Sequence, residues 1–323
     1  MTATPPLGDA VGAADRLAAA VTAGIDAALD AAPAPPGDVD VGWVAALDAT
    51  ACPARFRGQG ETGWGFPGWT PATAAGAVAR SALDHHLHGP DPDCPPAPLE
   101  AVRDWMRTAT SIGARGVAGW VAELRADGDG PALAATAAGA ARWIAGFVRT
   151  LGWPLPERLA LLNVARDDAP VARWSPRRGA PVRVRSGADA RIGRIVGAGG
   201  HRLVVHRPVA GDDGQLRRRA AFEAAAGALV HRVAAAEVVV TTGDTGERVR
   251  VPVDEALLAA GGEMVVEVVR QRVRAVERGH DPADARPSPA CRWCEVADGC
   301  GPGRDWLARA GRWRGGLPVL APG

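Results

Sequence analysis

The spacing of hydrophobic and polar positions predicts an appended helix at the start of the chain. Over residues 10–32 an alanine-rich segment carries apolar side chains at four-residue steps, which is the spacing of one face of an α-helix. The sequence APAPPGD follows, and stacked prolines cannot continue a helix because they lack the backbone N–H. We therefore expect an N-terminal helix and a proline-rich linker over residues 1–40.

Helical spacing returns after the linker and extends to about residue 165. A short helical stretch over residues 41–57 leads into the first cysteine, and a second begins at residue 73 in TAAGAVARSALDHHL. After the proline-rich loop HGPDPDCPPAPLE, residues 98–165 keep helical spacing throughout. We expect this last part to be a large helical insertion in a domain that covers residues 41–323.

The spacing changes to strand-like alternation near residue 171. APVRVRSGADARIGRIV alternates apolar and polar positions, and HRLVVHRPV is a short β-rich run after a Gly-Gly turn. AEVVVTTGDTGERVRVPV predicts a hairpin that turns around residues 243–246, and helices are predicted over 217–235 and 254–278. Helices and strands in this order predict an α/β fold in which a mixed central sheet is flanked by helices.

The composition is typical of a globular protein and excludes some mechanisms. Hydrophobic residues make up 47% of the chain, which argues against a disordered or fibrous protein. All 37 basic residues are arginines and there is no tyrosine, as coding bias in a GC-rich genome would produce, so a mechanism that needs lysine or tyrosine is excluded. No apolar run approaches the roughly 18 residues of a membrane span, and acidic residues interrupt the N-terminal segment where a signal peptide would be apolar. We therefore expect a cytoplasmic protein without membrane contact.

Arginine is concentrated in the region of predicted strands. Residues 173–219 contain twelve arginines against three aspartates, although the whole chain has a formal net charge of +1. A solvated strand surface would explain such a run, but the imbalance favours contact with a polyanion, because phosphate contacts supply most of the affinity for nucleic acids. The arginines that we assign to DNA binding are Arg183, Arg185, Arg217, Arg218 and Arg219.

The five cysteines are unevenly distributed. Three of them form a C-x2-C-x5-C knuckle in SPACRWCEVADGC: Cys291, Cys294 and Cys300. Zinc and a 4Fe–4S cluster both take four ligands, so this knuckle, which we place at about residues 288–305, needs a fourth ligand. Cys52 or Cys94 would supply a thiolate. The alternatives to a fourth cysteine ligand are a zinc site completed by His280 and simple burial of the cysteines.

The cysteine pattern also resembles a known family. CPARFR shortly after WVAALDATA, together with C-x2-C-x5-C near the C-terminus, resembles the iron–sulfur branch of the RecB-like PD-(D/E)XK nucleases, which includes the AddB nuclease and the CRISPR adaptation nuclease. The resemblance covers roughly residues 43–310. It implies a restriction-endonuclease-like core in which one upstream cysteine joins three C-terminal ones around a 4Fe–4S cluster. Carried over to this chain, the cluster ligands are Cys52, Cys291, Cys294 and Cys300.

The resemblance further implies a metal-dependent nuclease centre, whose motifs are degenerate in this chain. PD-(D/E)XK enzymes hold Mg²⁺ or Mn²⁺ on carboxylates and use a lysine to position the attacking water. The GxxxH motif would end at Arg80 instead of histidine, and Asp189 would be the remaining metal-binding acid. In the (D/E)xK strand, LVVHRPVAG, His206 stands in place of the acid and Pro208 in place of the lysine.

These observations predict a catalytically inactive, DNA-binding protein with a structural 4Fe–4S cluster. Its expected partners are single-stranded or forked DNA and a helicase or other subunit of repair, recombination or defence machinery. One alternative is an active metal-dependent nuclease that uses Mg²⁺ or Mn²⁺ with an acid relocated to Asp212 or Glu223. The other alternative is a zinc-stapled protein-interaction domain.

Overall fold

The chain forms two compact units in the computed structural model. The described residues are 9–30, 38–62, 70–109, 116–157, 159–162, 171–176, 181–194, 200–207, 213–243, 246–279, 281–288, 291, 294, 296 and 299–312. The first unit contains Met1–Ala19, Phe66–Ala172 and Val184–Gly262, and the second contains Ala20–Gly65, Arg173–Arg183 and Glu263–Gly323. Each unit is assembled from three separate stretches of the chain.

Helices and strands alternate along the described residues. The helices are α1 (Ala10–Asp30), α2 (Trp43–Ala51), α3 (Pro53–Thr62), α4 (Pro71–Leu87), α5 (Pro98–Ala109), α6 (Val117–Ala126), α7 (Gly130–Leu151), α8 (Asp213–His231), α9 (Glu255–Arg278) and α10 (Gly301–Arg312). The strands are β1 (Val39–Val41), β2 (Leu159–Leu161), β3 (Val171–Trp174), β4 (Val182–Arg185), β5 (Ala190–Gly193), β6 (His201–Arg207), β7 (Glu237–Thr242) and β8 (Arg248–Pro252). Within the described part of the chain, no helix has both the length and the apolarity that a membrane crossing requires.

The larger sheet, which belongs to the first unit, is mixed, as the sequence predicts. Its strand order is β2-β5-β6-β7-β8, with β6 and β7 parallel and the other neighbours antiparallel. Parallel neighbours need a long crossover, and the 19-residue helix α8 provides it. Strands β6 and β7 are buried along most of their length, which explains their continuous valine-rich runs. The antiparallel β7–β8 pair confirms the predicted hairpin.

One apolar core joins this sheet to helices α4, α5 and α7. Ala190 and Val204 of the sheet belong to the same cluster of buried side chains as Trp105, Trp143 and Phe147 of the helices. The tryptophans of α5 and α7 are therefore core residues, as their helical spacing indicates. Burial of such large side chains is the main stabilising contribution to this unit.

Helix α7 shows where the predicted helical insertion ends. The helix begins after Asp129, whose side chain accepts a hydrogen bond from the Ala132 N–H at 3.0 Å. It ends at Gly152, which has a φ of +88°, a conformation that favours glycine and stops a helix. The chain then continues into strand β2, so the prediction of helix up to residue 165 is wrong beyond Leu151.

Helix α8 is buried on nearly every side between the sheet and α9. A Cβ on Gly227 would lie 2.7 Å from a methyl carbon of Leu203 on β6. A Cβ on Gly261 of α9 would lie 2.0 Å from the backbone oxygen of Ala221 on α8. The alanine and glycine content of α8 therefore permits backbones to approach closely on two sides.

The second unit contains β1, α2, α3, α10 and the later part of α9. Strand β1 forms one edge of a three-stranded sheet of order β1-β4-β3, and the Val39 N–H donates to the Pro181 carbonyl at 2.9 Å. In this unit α1 packs on α9, because a Cβ on Gly24 would lie 2.8 Å from a methyl group of Val266. The predicted helices over 10–32 and 254–278 are confirmed to within two residues at each end.

Candidate metal centre and buried polar cluster

Four of the five cysteines line a single cavity in the second unit. This cavity has a volume of about 50 Å³, and the sulfur-bearing residues that line it are Cys52, Cys291, Cys294 and Cys300. A water molecule needs roughly 10–15 Å³ on the same measure, so the space exceeds that of a single water. Cys94 is exposed and lies in the first unit, in the loop after α4. The structure thus brings the knuckle together with Cys52 and leaves Cys94 elsewhere.

Local backbone structure fixes Cys52 at a break between two helices. Its N–H donates to the Asp48 carbonyl at 3.0 Å and thereby closes α2. Its carbonyl accepts from the Phe56 N–H at 3.0 Å in the first turn of α3. Pro53, at the first position of α3, lacks the N–H that would continue α2. The sequence ACPARF therefore produces a helix–cysteine–helix corner.

The knuckle cysteines are held by short turns and by the start of α10. The Cys291 N–H donates to the Ser288 carbonyl at 3.0 Å, and the Cys294 N–H donates to the Cys291 carbonyl at 3.4 Å. Cys300 directly precedes α10, and its carbonyl accepts from the Arg304 N–H at 3.0 Å. C-x2-C spacing thus places two thiols on one tight turn, which is the arrangement that thiolate-ligated metals require.

Two backbone N–H groups point at cysteine sulfurs. The Arg286 N–H donates to Cys52 Sγ at 3.5 Å, and the Ser288 N–H donates to Cys291 Sγ at 3.3 Å. The Arg286 guanidinium also donates to the Thr50 carbonyl at 2.8 Å, which ties this segment to α2. Backbone donors of this kind stabilise thiolate over thiol, and they tune the potential of iron–sulfur clusters.

Gly303 borders the cavity, and Gly58 lies against the knuckle, at positions where a side chain would intrude. A Cβ on Gly303 of α10 would lie 3.2 Å from Cys300 Sγ and 3.6 Å from Cys291 Sγ. A Cβ on Gly58 of α3 would lie 2.6 Å from a methyl group of Val296 in the knuckle. Small residues at these positions keep α3 and α10 close to the cysteine turns and leave the space beside the sulfurs open.

The groups around Cys294 shift the pKa of its thiol in opposite directions. Burial raises the pKa of the Cys294 thiol, and neighbouring Cys291 and Cys52 add to the increase, whereas Arg55 opposes it. A bound metal would deprotonate the thiols, because the thiolate is the ligand. Four sulfur donors suit zinc or an iron–sulfur cluster better than Mg²⁺ or Ca²⁺, which prefer oxygen.

The described residues contain no group of three or more His, Cys, Asp or Glu side chains gathered closely enough to hold a single metal ion. The four sulfurs therefore line the cavity wall instead of meeting at one point. His280, the alternative zinc ligand, lies outside the described residues. The fit to a metal group thus depends on the donor set, the cavity and the N–H···S hydrogen bonds.

Arg80, Asp189 and His206, which the resemblance predicts to be a degenerate nuclease centre, lie together in the first unit. Asp189 is buried, and its Oδ1 accepts from the Arg80 guanidinium at 2.6 Å. Its Oδ2 accepts from the His206 backbone N–H at 2.7 Å. Both carboxylate oxygens are thus bound by protein donors, and the negative charge is compensated by a guanidinium cation. Pro208 lies outside the described residues.

His206 projects from β6 into an aromatic environment on the side of α7. Its Nδ1 lies 2.7 Å from Thr241 Oγ1, and its ring contacts Trp143 edge-on at a centroid distance of 4.9 Å. Among the described residues its Nε2 has no hydrogen-bond partner. Burial lowers the pKa of His206 to about 4 even though Asp189 opposes the shift, so the ring is neutral at pH 7.

A second buried carboxylate, Glu223 of α8, lies within electrostatic reach of Asp189. Its Oε2 accepts from Ser186 Oγ at 2.8 Å and from the Gly187 N–H at 2.7 Å. Its Oε1 lies 2.9 Å from Arg219, one turn earlier on the same helix. Burial raises the pKa of Glu223, and the charge of Asp189 adds to the increase. Asp212, the other proposed relocated acid, lies outside the described residues.

The five arginines assigned to DNA binding have different surroundings. Arg183 contacts Asp38 and Asp40 at 3.0 Å and 2.9 Å in the second unit, so its charge is compensated locally. Arg219 faces Glu223 inside the first unit, and Arg185 is half-buried. The two that are exposed to solvent are Arg217 and Arg218, in the first half of α8.

Two arginines near the cysteine cavity were not predicted from the sequence. Arg55 lines the cavity, and Arg57 is fully buried two residues later on α3. Both lie in CPARFR, the segment that carries Cys52, so their closeness to a cysteine was the available signal. The hydrogen-bond partners of Arg57 are more than 200 positions away, and no local pattern indicates such pairs.

Comparison with known proteins adds no relative. No protein-family model matches the chain, and neither a curated protein nor a solved structure matches it.

Proposed function

We propose that this chain is a nucleic-acid-binding protein without nuclease activity and that it holds an inorganic centre on Cys52, Cys291, Cys294 and Cys300. The observation that carries the proposal is the cavity lined by these four cysteines and by Arg55 and Arg286. Sulfur donors from two chain segments 239 positions apart converge there. No side-chain oxygen other than that of Asp48 and Ser288 is among its lining residues within the described part of the chain.

We propose a 4Fe–4S cluster as the bound group, with zinc as the alternative. Either group would cross-link the start of α3 to the segment before α10, and its role would be structural. On the chain-entropy model, closing a loop of this length removes about 5 kcal/mol of unfolded-state entropy. The backbone N–H groups of Arg286 and Ser288 would stabilise the thiolates of Cys52 and Cys291.

The absence of nuclease activity is supported by the contacts of Asp189. Its oxygens are engaged by Arg80 and by a backbone N–H, so a divalent cation would have to compete with an existing ion pair. His206 offers a neutral imidazole, which is a poor ligand for Mg²⁺. With no lysine in the chain, the attacking water also lacks its usual cationic partner.

DNA binding rests on the exposed arginines and on the resemblance stated above. Arg217 and Arg218 offer two solvated guanidinium groups on one helix, which suits phosphate contacts. Single-stranded or forked DNA remains the preferred partner, in a machine with a helicase or another repair, recombination or defence subunit. The second candidate is a zinc-stapled protein-interaction domain, because the four thiolates proposed for the cluster would also bind zinc.

The metal centre is tested by replacing each cysteine singly with serine. We expect Cys52→Ser, Cys291→Ser, Cys294→Ser and Cys300→Ser to lose most of the bound metal, because a three-thiolate site binds more weakly. The matched control, Cys94→Ser, keeps its metal, because Cys94 lies outside the cavity. Iron, sulfide and zinc are measured per chain after anaerobic purification, together with visible absorbance.

The metal content decides between the two groups. Iron and sulfide at about four per chain, with a brown colour, support the cluster. One zinc per chain without colour supports the interaction domain. The proposal fails if the wild-type protein binds neither, or if Cys94→Ser loses metal while Cys52→Ser retains it.

A further inference from the structure

We propose that Arg57 is the positioning residue of the cysteine cavity: it holds the segment that supplies the two N–H···S hydrogen bonds. This inference rests on the proposed metal centre, since its consequence is how firmly that centre is held. Arg57 does not line the cavity, so it would act through residues 284–288 and would not be a ligand.

The Arg57 side chain is fully buried and its guanidinium has three partners. The Nε donates to the Gly279 carbonyl at 3.0 Å, just past the end of α9. Nη1 donates to the Gln271 amide oxygen at 2.8 Å, and Nη2 donates to Asp284 Oδ2 at 2.8 Å. The planar guanidinium therefore connects α3 to Gln271 on α9, to Gly279 just past its end, and to the turn that follows. A buried charge with this many hydrogen bonds is a strong geometric restraint.

The turn that Arg57 holds leads directly into the cavity. Asp284 closes a short 3-10 turn, and the next four residues line the cavity. Within those four residues Arg286 donates its backbone N–H to Cys52 Sγ, and Ser288 donates its own to Cys291 Sγ. Movement of this segment away from the sulfurs would weaken both hydrogen bonds, which are 3.5 Å and 3.3 Å long.

Arg57 and Cys52 lie on the same helical corner, which makes this restraint specific to the site. Cys52 begins the corner and Arg57 follows in the second turn of α3. Arg57 thus anchors the helix that begins directly after the Cys52 thiol. The segment before the knuckle is bound to α3 through Arg57 and to α2 through the Arg286 guanidinium, which donates to the Thr50 carbonyl.

Two substitutions test this role while keeping the fold. Arg57→Lys keeps the buried charge but offers a single donor point in place of a fork that bonds in three directions. Asp284→Asn is nearly isosteric, weakens only the bond to Arg57, and alters a side chain that is 44% exposed, so the variant should fold. The matched control is Arg304→Gln, an exposed arginine next to Cys300 that does not line the cavity.

The main measurement is the rate at which metal passes from loaded protein to an excess of chelator, with helical content followed by circular dichroism. We expect transfer at least tenfold faster in Arg57→Lys and a few-fold faster in Asp284→Asn, with Arg304→Gln at the wild-type rate. Metal content at saturation should stay near that of the wild type, because all four thiolates remain. Wild-type release rates in a folded Arg57→Lys variant would overturn the inference, as would equal acceleration by Arg304→Gln.

A second measurement separates this inference from the proposed function. If the wild-type protein proves to hold no metal, the proposed function fails, and the reactivity of Cys52 and Cys291 toward a thiol reagent then tests Arg57 in the metal-free protein. We expect the reaction rate of both thiols to change at least threefold in Asp284→Asn relative to the wild type, because the N–H···S hydrogen bonds are lost. Unchanged thiol reactivity would reject the positioning role, and Asp284→Asn decides alone if Arg57→Lys does not fold.

Discussion

At the scale of single residues, two buried carboxylates of this chain form ion pairs with arginines. Asp189 and Glu223 are buried carboxylates, and each lies against an arginine, Arg80 and Arg219 respectively. Replacing one partner of such a pair leaves an unpaired buried charge, which typically costs about 3–5 kcal/mol. Internal ion pairs with guanidinium groups therefore organise this cluster of buried carboxylates.

Two buried histidines predict a dependence of stability on pH. Burial lowers the pKa of His206 to about 4 and that of His201 to about 4, from an ordinary value of 6.5. Between these pH values the two histidines are protonated in the unfolded chain but stay neutral in the folded protein. The free energy of unfolding should therefore fall as the pH drops from about 6.5 to about 4, with His206 contributing up to about 3 kcal/mol, and this contribution should change no further below pH 4.

Urea unfolding at pH 7.5 and pH 4.5 measures this effect. Carboxylates also titrate in the interval, so the quantity of interest is the difference between variants. His206→Gln, which can still bond to Thr241, should lose less stability on acidification than the wild type. His88→Gln is the control, because the His88 side chain is 77% exposed. Identical losses in the wild type and in His206→Gln would contradict the prediction.

At the scale of elements, the first unit depends on close backbone packing between α8 and α9. Apolar side chains occur all around α8 because the sheet covers one side and α9 another. The contact at Gly261 is the tightest in this pair, since a Cβ there would meet a backbone oxygen and the Ala225 methyl group, which would lie 2.7 Å away.

Gly261→Ala should destabilise the protein strongly. The added Cβ would lie 2.0 Å from the Ala221 carbonyl oxygen, and backbone inside a buried helix cannot move aside without displacing its neighbours. We expect a loss of about 3 kcal/mol in the free energy of unfolding, at the upper end for overpacked cores. Chemical denaturation measures it. Gly130→Ala is the control, because nothing lies within 4 Å of a Cβ there, and it should be neutral or slightly stabilising.

At the scale of the whole molecule, DNA affinity should depend on the exposed arginines of α8. The chain has a formal net charge of +1, so attraction to DNA has to come from local groups. We expect binding of forked and single-stranded DNA in the micromolar range at low salt, weakening steeply as salt rises. The double variant Arg217→Glu, Arg218→Glu should bind more weakly and lower the salt slope by about 2.

The matched control for DNA binding is Arg183→Glu, because Arg183 is already paired with Asp38 and Asp40. It should have a smaller effect than either substitution on α8. Fluorescence anisotropy at several salt concentrations measures binding, and gels of the same samples in Mg²⁺ and in Mn²⁺ should show intact DNA. Cleavage that disappears in Asp189→Ala would establish the relocated-site nuclease, and no binding at low salt would favour the interaction domain.

The long periodic segments were predictable from the sequence because their signals are local. The four-residue spacing in α1, the valines of β7 and the pairing of β7 with β8 each depend on residues close together in the sequence. The end of α7 was not predicted, because alanine-rich sequence continues to look helical and only the positive φ of Gly152 stops it. Helix α10 was missed because its glycine-rich start carries no helical signal.

The surroundings of the charged residues could not be predicted, because their partners are distant in sequence. Within residues 173–219 the sequence indicates no partner for Arg183, because its partner Asp40 lies 143 positions away. In the same way Arg80 meets Asp189 across 109 positions. The cysteines are the exception, because thiolate spacing is a strong signal, and the structure places Cys52 with the knuckle in one cavity.

The distance along the chain between Cys52 and the knuckle also sets an order of events during synthesis. A ribosome adds roughly 5–20 residues per second, so Cys52 leaves the tunnel some tens of seconds before Cys300 is made. During that interval Cys52 has no companion thiols from the knuckle, and Arg57 has neither Gln271 nor Asp284 to bind. The corner at the start of α3 is thus among the last parts of the nascent protein to become protected, although it is among the first to be translated.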